Sequence, residues 1–139
     1  MKLVEIGKFK IGAGRPLAVI AGPCVIESRE SGLRHAALLK QAAGRAGVPY
    51  IFKSSYDKAN RSSGSSFRGP GLERGLEILA EVKRKVGVPI LTDVHESAQV
   101  VAVQQIADVL QIPAFLWRQT DFVVAVANSG KGGNVKKGQ

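Results

Sequence analysis

The chain has 139 residues, 45% of them hydrophobic, which suffices for one globular domain with a sizeable core and is too little for two. Twenty Lys and Arg against eleven Asp and Glu give a formal charge of +9, which favours anionic partners without separating phosphorylated metabolites from polynucleotides. A single cysteine, Cys24, excludes an intrachain disulfide framework, and with no secretory signal or apolar run of spanning length the expectation is a cytoplasmic protein with no membrane partner.

Residues 2–10 read as a short hairpin or arm inside a lead-in of residues 1–16. Strands are predicted over 17–21, 49–53, 89–93, 108–112 and 133–136, with helices over 28–46, 72–86, 97–106 and 119–128 between them. Short β-rich runs alternating with helical patterns argue for an α/β fold with a parallel sheet. The second helix is the best marked. Leu72, Leu76, Leu79 and Val86 recur near helical spacing, Gly69-Pro70-Gly71 forms its entrance, and Gly87 offers a stop.

Polar residues collect where these strands end: Cys24 and Glu27 after the first, Lys53 after the second, Asp93 and His95 after the third, Gln111 on the fourth and Lys136 on the fifth. In a (β/α) barrel one catalytic mouth gathers such ends. A doubly wound sheet would use them too, but no Gly-rich dinucleotide fingerprint follows the first strand, so the barrel is the better reading. Residues 53–63 carry three cations, Lys53, Lys58 and Arg61, among hydroxyl and amide groups, directly behind Tyr50-Ile51-Phe52. Such a segment can aim charge and directional donors at a phosphate or carboxylate, with Arg61 able to bind in bidentate fashion. The bland reading is a solvated, turn-rich loop.

Several motifs run in one order along the chain: Ala21-Gly22-Pro23-Cys24-Val25-Ile26-Glu27-Ser28, the 53–63 segment, Leu91-Thr92-Asp93-Val94-His95-Glu96, Gln111-Ile112-Pro113-Ala114-Phe115-Leu116, Arg118-Gln119-Thr120-Asp121 and Asn134-Val135-Lys136-Lys137-Gly138-Gln139. Together they resemble the 3-deoxy-D-manno-octulosonate-8-phosphate synthase family. The resemblance implies a TIM barrel enzyme, usually a homotetramer, that condenses phosphoenolpyruvate with D-arabinose 5-phosphate and water, releases inorganic phosphate and serves lipopolysaccharide biosynthesis. By the same resemblance Lys53, Lys58 and Lys136 would hold phosphoenolpyruvate, with Lys58 also near the incoming aldehyde. Asn60 and Arg61, helped by Ser62, would engage the pentose phosphate, while Gln111, Pro113 and Ala114 would line the floor. Arg118 would reach the pentose phosphate site of a neighbouring subunit. Asp93 and His95 fit positioning or proton transfer, and equally a hydrogen-bonded pair that orients a strand end.

Cys24 matches the metal-dependent branch of that family, where asparagine marks the metal-independent one. A thiolate suits zinc or iron, and manganese is a further option; the metal could activate water or orient the aldehyde. Taken alone, one cysteine more often fills a core. The remaining His, Glu and Asp ligands would come from later strands. Residues 1–139 are thus expected to supply a single partial barrel, four βα units and the fifth strand, of a longer protein. A fragment, a truncated product or an incomplete gene model would each account for this, and the chain alone is expected to fall short of activity.

Trp117 stands where the family commonly has a cysteine or small residue, Gly64-Ser65 replaces a hydrophobic-His pair, and residues 128–133 are unusually rich in glycine. Two other functions fit parts of the sequence. A 3-deoxy-D-arabino-heptulosonate-7-phosphate synthase would share the barrel and take erythrose 4-phosphate, but Lys58-Ala59-Asn60-Arg61-Ser62-Ser63 favours the octulosonate enzyme. A noncatalytic basic anion-binding module fits the charge; with 6% aromatic residues and no helix-borne basic stripe, nucleic acid is not an expected partner.

Overall fold

A computed structural model describes residues 3–138. The lead-in is an antiparallel hairpin, β1 (Val4–Ile6) and β2 (Phe9–Ile11), turned at Gly7 with φ 56°. Four βα units and a further strand follow: β3 (Val19–Ala21), α1 (Arg29–Ala46), β4 (Tyr50–Lys53), α2 (Leu72–Val86), β5 (Ile90–Asp93), α3 (Ser97–Ile106), β6 (Val109–Ile112), α4 (Thr120–Ala127) and β7 (Gly132–Val135). The last five strands form one parallel sheet in sequence order, β3-β4-β5-β6-β7, as a barrel wall requires.

The predicted elements are all present, with shifts at their ends that have a chemical cause. Pro49 and Pro89 lack an N–H and enter the ladder through their carbonyls alone, accepting from Val19 N at 2.8 Å and Phe52 N at 2.9 Å, so β4 and β5 begin one residue later than predicted. Leu17, predicted as strand, is 82% exposed and lies outside β3. The last strand is 132–135 rather than 133–136, which leaves Lys136 just beyond its carboxyl end. Ser28 caps α1 instead of joining it, its Oγ accepting from Ser31 N at 3.0 Å. Lys2 and Gln139, at the ends of the predicted arm and the last motif, lie outside the described residues.

The two-residue period of the strands divides their side chains between two cores. Tyr50, Phe52, Ile90, Leu110 and Ile112 face the helices, with Ile78, Leu79 and Val82 of α2 packed against them. Ile51, Leu91 and Val109 turn to the barrel interior and cluster with Ile6 of the hairpin, Phe9 and Ile11 packing alongside. The hairpin therefore plugs the amino end of the wall. Lys53, Asp93 and Gln111 stand two residues beyond this interior set and share its face, so the inner surface is apolar below and polar above. Strands β3 and β7 are the edges of the described sheet, and Val19, Ile20 and Val135 are exposed there.

Candidate active site

A cavity of about 520 Å³ opens at the carboxyl ends of β5 and β6 and brings together residues from four loops. Lys58, Asn60 and Arg61 come from the loop after β4, Asp93 and His95 from the end of β5, Gln111, Pro113 and Ala114 from β6 and its loop, and Lys136 from the end of β7. Ala59, Glu96, Phe115 and Leu116 complete the lining, and nothing in the sequence marks them as site residues. Gln111 is buried, and its Oε1 accepts from Asn134 Nδ2 at 2.9 Å, so the floor is cross-braced from β7.

One polar chain crosses the cavity wall. Lys58 Nζ donates to Ser55 Oγ at 2.6 Å, and Ser55 donates in turn to Asp93 Oδ1. Lys58 Nζ also stands 3.6 Å from Asp93 Oδ2, which contacts His95 Nε2 at 3.2 Å. Burial by itself would push the Asp93 carboxyl up. The bonds from His95 and Ser55, then the charges of Lys58 and Lys53, outweigh it and hold the group well below the usual carboxylate range. Asp93 is thus ionised and can only accept, which places the shared proton on His95 Nε2. His95 Nδ1 is buried and lacks a partner among the described residues.

Lys53 lies deeper. Burial pushes its ammonium down; the Asp93 carboxylate acts against this, and Lys58 with Lys136 acts alongside it. Cys24 is exposed, which removes the core reading of that cysteine. Gly22 lets the chain after β3 pass close to the backbone at the end of β4, since a Cβ there would stand 1.9 Å from the Lys53 carbonyl oxygen. The described residues contain no group of three His, Cys, Asp or Glu able to hold a metal ion.

Residues 53–63 do not form one continuous cradle. Lys58 turns inward, whereas Asp57 pairs outward with Arg68 through contacts of 2.8 and 2.6 Å. Ser62 is exposed on the loop and does not line the cavity. Arg118 is likewise elsewhere, its guanidinium 5.0 Å from the Trp117 ring centre in a separate hollow with Phe115 and Lys137. A third hollow, about 540 Å³, lies at the opposite end of the wall beneath the hairpin turn. Two of its lysines are already engaged there, Lys40 with the Val86 carbonyl at 2.6 Å and Lys83 with Ile106 O and Asp108 Oδ1, each at 2.9 Å. No described helix is long and apolar enough to cross a membrane.

Residues 2–139 match the profile of the DAHP synthetase I family. The chain is 61% identical over 131 residues to a 2-dehydro-3-deoxyphosphooctonate aldolase of Polaromonas naphthalenivorans (strain CJ2), covering 94% of this chain and 46% of that protein. It is 59% identical over 138 residues to the protein of the same name from Trichlorobacter lovleyi (strain ATCC BAA-1151 / DSM 17278 / SZ), covering 99% and 51%. The chain spans about half the length of the curated relatives it matches.

Proposed function

Because the chain belongs to the DAHP synthetase I family, we propose that it supplies one wall of an enzyme condensing phosphoenolpyruvate with D-arabinose 5-phosphate and water to give 3-deoxy-D-manno-octulosonate 8-phosphate and inorganic phosphate. The observation that carries this reading is the cavity that Lys58, Arg61 and Lys136 line together with a buried, ionised Asp93, which Lys58 contacts directly. Both substrates are phosphates and one adds a carboxylate, so joining them requires several cations around one reacting pair. The names of the relatives support the eight-carbon product.

In this reading Lys53, Lys58 and Lys136 hold phosphoenolpyruvate, while Asn60 and Arg61, with Ser62 from the loop, hold the pentose phosphate. Gln111, Pro113 and Ala114 form the floor. The carbon–carbon bond forms between the enol carbon and the aldehyde carbon, whose oxygen gains a proton; water adds at the phosphate-bearing carbon, and phosphate leaves. Lys58 has N–H groups beyond the one given to Ser55 and is the donor nearest the aldehyde. His95, its Nε2 proton committed to Asp93, orients that carboxylate rather than acting on substrate. Arg118, stacked on Trp117 outside the cavity, serves a neighbouring subunit of a tetramer. Cys24 is the chain's candidate metal ligand; a bound divalent metal would supply Lewis acidity, with further ligands from outside these residues. A cytoplasmic location and a role in lipopolysaccharide biosynthesis follow from this chemistry.

The test joins residues 1–139 to the part of the Polaromonas naphthalenivorans protein that they do not match, and measures phosphate release with phosphoenolpyruvate and either aldehyde. Arabinose 5-phosphate should be preferred. A preference for erythrose 4-phosphate would assign the chain to heptulosonate synthesis, and turnover of neither would leave the basic anion-binding reading.

A further inference from the structure

Building on the condensation assigned to this cavity, we propose that Gln99 is a positioning residue for it, acting with Tyr56 through His95. A single atom, Gln99 Oε1, accepts from the Tyr56 hydroxyl at 2.6 Å and from the His95 backbone N–H at 3.1 Å. Tyr56 follows β4, His95 follows β5 and Gln99 lies in the first turn of α3, so three elements meet at one oxygen. Gln99 does not line the cavity, which separates its role from a catalytic one.

The geometry around the imidazole gives this oxygen leverage. Tyr56 is 1% exposed, and its ring stands edge-on to His95, with centroids 5.6 Å apart and planes at 81°. A Cβ at Gly75 would meet the Tyr56 Cβ at 2.2 Å, so α2 packs directly against the residue. With Nδ1 unpartnered among the described residues, the hydrogen-bond anchors of His95 are the backbone clamp at Gln99 and the Nε2 contact to Asp93. Removing the clamp leaves a buried hydroxyl and a partly buried amide without their acceptor, and both must move to find another. His95 would move with them and turn Asp93, whose other oxygen reaches Lys58 through Ser55.

The test uses Gln99→Leu, Gln99→Glu and Tyr56→Phe. In the completed barrel Gln99→Leu should lower kcat by about 10- to 100-fold, the scale of a misplacement of roughly an ångström, with KM changed less than about twofold. Gln99→Glu keeps the acceptor and should restore most of the rate, while Tyr56→Phe, which keeps the ring packing, should fall between. In the 139-residue chain, long-range proton–nitrogen spectra should show His95 protonated at Nε2, and a mixture of tautomers in Gln99→Leu. An unchanged kcat together with an unchanged His95 spectrum in Gln99→Leu would overturn the proposal. If the parent barrel performs no condensation, the reaction assigned above has failed, and the His95 spectrum alone decides whether the clamp exists.

Discussion

Lys58 and Asp93, 35 residues apart in sequence, are joined twice: directly, at 3.6 Å between Nζ and Oδ2, and through the Ser55 hydroxyl, which accepts from one and donates to the other. The lysine is thereby fixed at the cavity wall rather than free to follow solvent, its side chain only 13% exposed. Lys58→Ala in the completed barrel should reduce kcat/KM on the order of 100-fold or more, as loss of a preorganised donor does. Lys131→Ala, on the exposed turn before β7, should stay within about twofold. Steady-state kinetics of the two variants, run side by side, settle it; equal effects would remove Lys58 from the chemistry. Lys83, which looks like an ordinary surface lysine in the sequence, makes a poor control, because it braces Ile106 and Asp108.

Asp93 also makes stability depend on acidity, with a definite sign. Its carboxyl is held below the ordinary 3.8 in the folded chain, so its contribution is fully present above that value and is lost as pH falls through the lower, folded one. Urea midpoints taken from about pH 5 down to about pH 2 should fall, and Asp93→Asn should flatten part of that slope. An unaltered slope in the variant would place the acid sensitivity on other carboxylates, such as Glu81, brought down to about 2 by hydrogen bonds from Arg29 and Lys85.

Metal retention should distinguish the chain from the completed barrel. With Cys24 as its one candidate ligand, the 139-residue chain should leave a desalting column without stoichiometric zinc, because stable protein sites supply three or four donors. The completed barrel should retain it, and Cys24→Ala should abolish that retention. Elemental analysis reads all three. Full metal content in the Cys24→Ala barrel would sink the assignment.

Gly75→Ala tests how closely α2 is seated on the loop after β4. The added methyl would lie 2.2 Å from Tyr56 Cβ and 3.1 Å from its Cα, neither of which is the movable end of a flexible chain. A loss of about 1–3 kcal/mol is expected from such overpacking, read as a lower urea midpoint. Gly44→Ala in α1, where a Cβ meets nothing within 4 Å, is the matched control. It should be neutral or slightly stabilising.

The fold was legible because its signals are local. Strand runs bounded by Pro49 and Pro89, the Gly69-Pro70-Gly71 entrance and the Gly87 stop with φ 68° each act within a few residues, and the order of elements follows from them. The residues at strand ends were legible for the same reason, since Lys53, Asp93 and Gln111 keep the two-residue period of the apolar positions before them. Ser55, Tyr56 and Gln99 were not. Gln99 is one of three glutamines on α3, and what distinguishes it from Gln104 and Gln105 is a contact to Tyr56, 43 residues earlier, which no spacing announces. The 53–63 segment misled in the opposite direction, because composition cannot tell that Lys58 and the adjacent Asp57 take opposite sides of the chain.

The hairpin has a consequence for the order of folding. Each parallel strand lies beside its sequence neighbour, so every βα unit can be laid down against the one just made, at modest loop-closure cost. The plug breaks that rule. Ile6 packs against Gly132, where an added Cβ would lie 2.8 Å from Ile6 Cδ1, and against Val109, so its pocket does not exist until β6 and β7 are in place. An element early in the described order is therefore seated only after β6 and β7, and its apolar residues must wait in solvent while that part of the wall is built.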